Sequence, residues 1–291
     1  MSTSEAATRP LGAVARPGRR ARSRPAAPVI VGAVIVGLLA LAALLAPLIA
    51  PYDPNEVDFL HTSESPSWSH LMGTDDAGRD VFSRSLYGLR LDLAIVLFVT
   101  YVPLPIGVLL GSIAGSFGRG VDSVMARVAD VMLAFPFFVL VIAIIAITGP
   151  GLKGVLIGVP IAGWALYFRL ARSEMLVLRE QPFMLATTGL GYSRTRAILR
   201  HAVPNLWRTA LIYSTLDMVV NLLLLASLGY LGLGAQPPDA ELGSIIAGGQ
   251  PYLLSAWWIA TLPGLLLVAY GVGVGLIGDG LSDGRLRSAS A

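Results

Sequence analysis

The chain has no cysteine among its 291 residues. Disulfides and thiolate metal sites are therefore excluded. Charge is scarce as well. Asp, Glu, Lys and Arg make up 13% of the chain, against about 25% in a soluble globular domain. So little charge does not cover a water-facing surface. Histidine occurs three times, at His61, His70 and His201, with none of the spacings of metal-ligand pairs, so no metal site is expected. No GxxxxGK[ST] string is present, so the chain has no phosphate-cradling loop of its own. There is no internal repeat.

What fills the chain is apolar: 55% of residues are hydrophobic and the mean hydropathy is +0.71. Continuous apolar runs, not alternating ones, predict membrane-spanning helices, because only helices and closed barrels satisfy their backbone in lipid. Six runs qualify. They are residues 29–50, 93–117 (interrupted by Pro103 and Pro105), 131–148 (with Pro136), 155–168 continuing to about 172, 211–228 (with Asp217) and 256–278. The first is 22 residues long, which suits a retained span better than the ~7–15-residue core of a signal peptide. The prolines are expected to kink their helices.

The organisation follows. Residues 1–28, with six arginines and the single acid Glu5, read as a disordered basic tail. Residues 29–50 are the first span, 51–90 a long acidic loop, 91–285 a core of five spans, and 286–291 a short tail. With the N-terminus in the cytoplasm, inner segments hold 17 Lys and Arg and outer segments four (Arg79, Arg84, Arg90 and Lys153). The positive-inside rule then puts both termini in the cytoplasm.

One basic segment reads as a projection. Pro182–Thr188 forms a short helix, Gly189 and Gly191 break it, and Ser193 N-caps a second helix, Arg194–Ala202, that stops before Pro204. Such a helix pair suits the groove of a soluble partner. A plain connecting loop fits the same residues.

These residues resemble the coupling-loop motif of ABC importer permeases. Leu185-Ala186-Thr187 stands at the motif's Glu-Ala-Ala triplet, Gly191 at its glycine and Val203-Pro204 at its Leu-Pro. The string His201-Ala202-Val203-Pro204-Asn205 is similar to the peptide-permease branch. Leu185 replaces the glutamate, so a salt bridge from the triplet to an ATPase is not available. Further blocks resemble the C-type subunit of dipeptide, oligopeptide and nickel permeases. They are Gly73-Thr74-Asp75, Gly78-Arg79-Asp80, Ser83-Arg84 and Tyr87-Gly88 in the first outer segment, then Asp122, Arg127, Asp130 and Pro136. Leu231-Gly232-Leu233-Gly234, Gln236-Pro237-Pro238 and Gly278-Asp279-Gly280-Leu281 complete the set. Leu242 stands where family members usually carry tryptophan.

The resemblance spans about residues 29–285. It implies an all-α polytopic fold of six helices, of the type I ABC importer kind, in the bacterial cytoplasmic (inner) membrane. It implies four kinds of partner besides lipid: a B-type permease, two ATP-binding subunits or domains that hold ATP and Mg, and an extracytoplasmic substrate-binding protein. No nucleic-acid partner, no cofactor in this chain and no catalysis by it are expected. Di- or oligopeptides are the implied cargo, with nickel or another small solute as the alternative.

Residues Gly73–Arg84 offer charges that brace the outer mouth or meet the binding protein, or an internal ion pair that holds the loop folded. Asp217 is costly inside a span. It lines the translocation path with Asn221, or it hydrogen-bonds Asn221 one turn on. A gradient-driven secondary transporter is the rival from another class. A lone intramembrane acid, with no His or Lys in the spans, argues against it.

Overall fold

The computed structural model describes residues 27–289; the predicted basic tail lies almost wholly outside them. The described residues are helical, with one isolated bridge between Thr74 and Asp80. Helices α1 (Ala27–Leu44) and α2 (Ala46–Ile49) form the first run. The acidic segment follows, then α3 (Val81–Tyr101) and α4 (Pro103–Phe117). Next come α5 (Arg119–Ala134), α6 (Phe137–Thr148) and α7 (Leu152–Leu178). Short helices α8 (Pro182–Gly189) and α9 (Arg194–Ala197) precede α10 (Val203–Tyr230), α11 (Leu242–Gly249) and α12 (Trp258–Ala289). Five helical stretches are long and apolar enough to span a membrane, and a bent pair makes a sixth.

Four boundaries differ from the sequence expectation. The second span begins at Val81, inside the segment expected to be loop, and runs to Phe117 as one 37-residue stretch. Pro103 does not break it. Val102 keeps helical angles and its N–H still reaches Phe98 O, so the backbone stays helical across the one N–H that Pro103 lacks. Pro136 does break its run. It pushes Phe135 into extended backbone, and α5 and α6 meet at 90°. The apolar limb of that pair, α6, has 12 residues, about 18 Å at 1.5 Å per residue, so the kink expected at Pro136 is a full break of the 18-residue run. The helix from Arg194 does not stop before Pro204. A π turn over Ile198–Ala202 carries it into α10. There the Val203 N–H reaches Ile198 O, and the wider turn accommodates the proline ring. Finally, α12 continues to Ala289, through most of the expected tail.

Small residues set the packing. On α4, Gly107, Gly111 and Gly115 repeat every four residues and face α7. A Cβ at Gly107 would stand 2.5 Å from Tyr167 Cβ, and one at Gly111 2.5 Å from Phe168 O. Backbones this close are the membrane solution to helix association, where lipid supplies no hydrophobic drive. Gly32 on α1 likewise leaves no room for a Cβ against Gly273 of α12. The main core joins α3, α6, α7, α10 and α12 through residues such as Val96, Ile145, Val159, Leu225 and Tyr270.

Candidate functional site

Three places carry chemistry: one at each end of the bundle, and one midway along the spans.

At the end carrying the acidic segment, the Gly73–Arg84 block folds on itself. Asp75 is 3% exposed. Its Oδ1 accepts from the Ala77 and Arg79 N–H groups, and its Oδ2 accepts from Arg79 Nε at 2.7 Å. The ion pair of Arg79 is thus with Asp75, not with Asp80. Asp80 caps α3 by accepting from Ser83 N at 2.7 Å, and its other oxygen meets His70 Nδ1 at 3.0 Å. Arg84 is buried, donates to Pro54 O and lies 3.8 Å from Asp75. Thr74 Oγ1 donates to His61 O and accepts from Glu64 N. Gly73 and Gly78 hold φ of +72° and +75°. A Cβ at Gly78 would overlap Asp58 O, and one at Gly73 would meet Glu64 O and the Trp258 ring. The block therefore folds around the internal Asp75–Arg79 ion pair, with Arg84 Nε alone left without a hydrogen-bond partner. At the surface beside it, Asp58 binds His61 Nδ1 at 2.7 Å. That bond holds the Asp58 carboxyl below its usual range and raises the imidazole of His61.

Sequence reasoning missed a second acidic feature at this end. Glu241, fully buried, caps α11 by accepting from Gly243 N and Ser244 N at 2.9 Å each. Asp92 of α3, 1% exposed, accepts from Leu242 N at 3.2 Å, and its Oδ1 has no partner. Burial pushes the Glu241 carboxyl up to about 7. Gly229 lies against this carboxylate so closely that any Cβ would collide with it. The legible signal was an isolated Asp opening an apolar run.

At the opposite end, α8 and α9 form the projection. Gly191 has φ +75° and nothing within 4 Å of a built Cβ. Its glycine is required by backbone angle alone. Tyr192 N closes the turn onto Thr187 O at 3.0 Å, and Ser193 caps α9 by accepting from Arg196 N. Met184, Thr187, Ala197, Ile198 and Ala202 anchor the pair inward. Leu185 (59% exposed) and Leu190 (73%) point outward, and Ala186 is exposed with them. The His201 ring stacks on Tyr192 with centroids 5.7 Å apart, and its backbone oxygen accepts from Asn205 Nδ2 at 2.7 Å. Pro204 sits in the first turn of α10.

Midway along the spans, Asp217 Oδ2 accepts from Tyr167 Oη at 2.8 Å and from Asn221 Nδ2 at 3.0 Å. Asn221 also donates to Thr100 Oγ1 at 2.9 Å. The bond from Asp217 to Asn221 one turn along α10 is present, and two further helices, α3 through Thr100 and α7 through Tyr167, close on it. No group of three or more His, Cys, Asp or Glu that could hold a metal occurs among the described residues.

Spans, a buried bracing loop and a protruding helix pair define an all-α polytopic membrane protein with the permease fold of type I ABC importers. One chain of the inward-facing MetNI methionine ABC transporter superposes with a TM-score of 0.53. It covers 72% of this chain and 96% of that one at 17% identity, a likeness of fold alone. Residues 107–283 match the binding-protein-dependent transport system inner membrane component family, and the chain belongs to it. Residues 19–66 match the N-terminal TM domain of oligopeptide transport permease C. The dipeptide transport system permease protein DppC of Alkalihalophilus pseudofirmus is 39% identical over 87% of this chain and 84% of its own length. The probable D,D-dipeptide transport system permease protein DdpC of Escherichia coli is 37% identical over 87% and 85%. These relatives are transport permeases, not enzymes.

Proposed function

We propose that the chain is the C-type transmembrane subunit of an ATP-driven importer of di- and oligopeptides in the bacterial cytoplasmic membrane. It lines the translocation path with a second, B-type permease. Both termini are cytoplasmic. Two ATP-binding subunits carry ATP and Mg and dock on the 182–204 projection, while an extracytoplasmic binding protein delivers cargo to the other end. Cargo is assigned from the relatives' names. The observation that carries the assignment is the projection itself: two short helices, anchored by buried residues, that present Leu185, Ala186 and Leu190 to solvent.

In mechanism, closure of the ATPase pair pushes α8 and α9. The helix from Arg194 runs into α10 through the π turn, so the push reaches Asp217 and Asn221 along one rod. At the far end the Asp75–Arg79–Arg84 knot keeps the outer mouth rigid. Asp217 and Asn221 line the path.

Topology and energy source test this together. Ser63→Cys in the cysteine-free chain reacts with an impermeant thiol reagent outside intact cells, and Ser193→Cys does not. The purified chain hydrolyses no ATP, and hydrolysis appears on reconstitution with the partner ATPases. Outside labelling of Ser193→Cys, or turnover by the chain alone, overturns the assignment.

A further inference from the structure

We infer that Asp217, Asn221 and the tyrosines around them form a binding site for a primary ammonium group halfway across the membrane. The inference deepens the proposed function and rests on it for the identity of the cargo: the group recognised is the free amino terminus of the peptide.

The position comes first. Asp217 lies near the middle of α10, Tyr167 near the middle of α7, and Thr100 and Tyr101 near the middle of the continuous α3–α4 stretch. Three spans thus bring polar groups to one level, the most expensive depth in a bilayer for a carboxylate. Charge comes second. Among the described residues no Lys, Arg or His pairs with Asp217; its partners are a phenol and an amide. Both donate to Oδ2, and Oδ1 accepts nothing. An intramembrane carboxylate with neutral neighbours has no counter-charge among the described residues.

The acceptors come third. Asn221 is 2% exposed. Its Nδ2 faces Asp217 and Thr100, which leaves Oδ1 as a buried acceptor with no donor. Two oxygens, one charged and one neutral, lack hydrogen-bond donors in one cluster. An ammonium group brings three donors and no acceptor. The aromatic wall is the fourth element. Tyr167 and Tyr213 meet edge to face, centroids 5.4 Å apart at 90°. Tyr101 Oη reaches Met218 Sδ at 3.7 Å, which holds that ring beside α10. Aromatic faces around a carboxylate are the recognised means of holding an organic ammonium. A hard divalent cation such as Ca2+ or Mg2+ fits poorly, because it takes six or more oxygen ligands. Asp217 and Tyr213 are half-buried and Tyr101 is 40% exposed, so the cluster is open on one side.

The test separates the site from the transport assignment. The chain in nanodiscs is titrated with glycylglycine and with N-acetylglycylglycine while carboxylate infrared difference bands are recorded. Glycylglycine is expected to shift a carboxylate band that is lost in Asp217→Asn, and the acetylated peptide to leave it unchanged. Tyr213→Phe keeps the response and Tyr213→Leu weakens it at least tenfold, which covers the case of a misfolded Asp217 variant. In proteoliposomes containing the full transporter, Asp217→Asn is expected to lower dipeptide uptake at least tenfold while ATP hydrolysis stimulated by loaded binding protein persists. Identical difference spectra for the wild type and a folded Asp217→Asn overturn the inference, as does an equal response to both peptides. A wild-type band shift without ATP-driven uptake refutes the transport assignment and leaves the ammonium site standing.

Discussion

The two ends of the bundle treat their side chains in opposite ways. At the acidic-segment end, Thr74, Asp75, Asp80 and Arg84 are all under 8% exposed, and all but one of their polar side-chain groups find partners inside the segment, Arg84 Nε being the exception. At the basic end, Leu185, Leu190 and Leu199 are each more than half exposed. There Arg194 and Arg196 lie over the rings of Phe117 and Tyr192, with no carboxylate partner among the described residues. Two glycines with the same φ make the contrast sharp. Gly78 and Gly191 both hold +75°, yet Gly78 has Asp58 O where a Cβ would go and Gly191 has open space. A charged motif is thus no sign of a docking surface when its charges are already satisfied. An apolar helix pair left in water is a better one.

Substitutions can break this comparison. The largest effect belongs to Gly78→Val, which combines a φ costing about 1–3 kcal/mol with a backbone collision. The chain is expected to vanish from the membrane fraction on immunoblotting. Gly191→Val meets only the first cost, so the protein is expected at near-normal level but without coupled transport. Equal loss of both proteins would erase the distinction between the ends. Asp75→Asn comes next. It removes the partner of Arg79 and strands the buried Arg84, and losing one member of a buried pair costs about 3 kcal/mol or more. A melting curve of the detergent-solubilised chain checks it, and an unchanged midpoint would mean the knot is not structural.

Glu241 sharpens the same end through pH. Its carboxyl is raised by burial to about 7 from an ordinary 4.5, so the folded state binds the proton more tightly than the unfolded one. That stability is present in full below about pH 4.5 and is lost as pH rises toward 7. Melting midpoints are expected to fall from pH 5 to 7 in the wild type, and to stay flatter in Glu241→Gln. Parallel pH profiles for the two proteins would refute the burial argument.

The smallest effect on stability, and the most specific on function, is Leu185→Asp. Burying one leucine in a partner groove is worth roughly 1.5–3 kcal/mol, so its loss is expected to weaken ATPase association about tenfold or more. The melting midpoint should not move, because the side chain is exposed. Leu185→Glu should be milder. Normal co-purification of the ATPase with Leu185→Asp would reduce the projection to a connector.

Much of this was legible in one dimension. Apolar run length alone predicted helices at Val29, Leu93, Val155, Leu211 and Ala256, since lipid admits no other backbone. The cap at Ser193 and the left-handed turn at Gly191 followed from local chemistry, which neighbours a few residues away decide. The four-residue spacing of Gly107, Gly111 and Gly115 went unread in the sequence, and a spacing does not name the helix it faces.

Tertiary structure decided the rest. Pro103 and Pro136 look alike in sequence. One rides inside a continuous helix because the preceding residue keeps helical angles; the other bends its chain by 90°. Arg79 pairs with Asp75 although Asp80 is adjacent, because the turn at Gly78 folds the guanidinium back. The apposition of Asp92 with α11, 150 residues away, and the convergence of Thr100, Tyr167 and Asp217 on one level depend on which spans pack together. Periodicity fixes what each helix buries. Only the crossing of helices determines which polar atoms meet, and in a low-dielectric interior that meeting sets where a charge can reside.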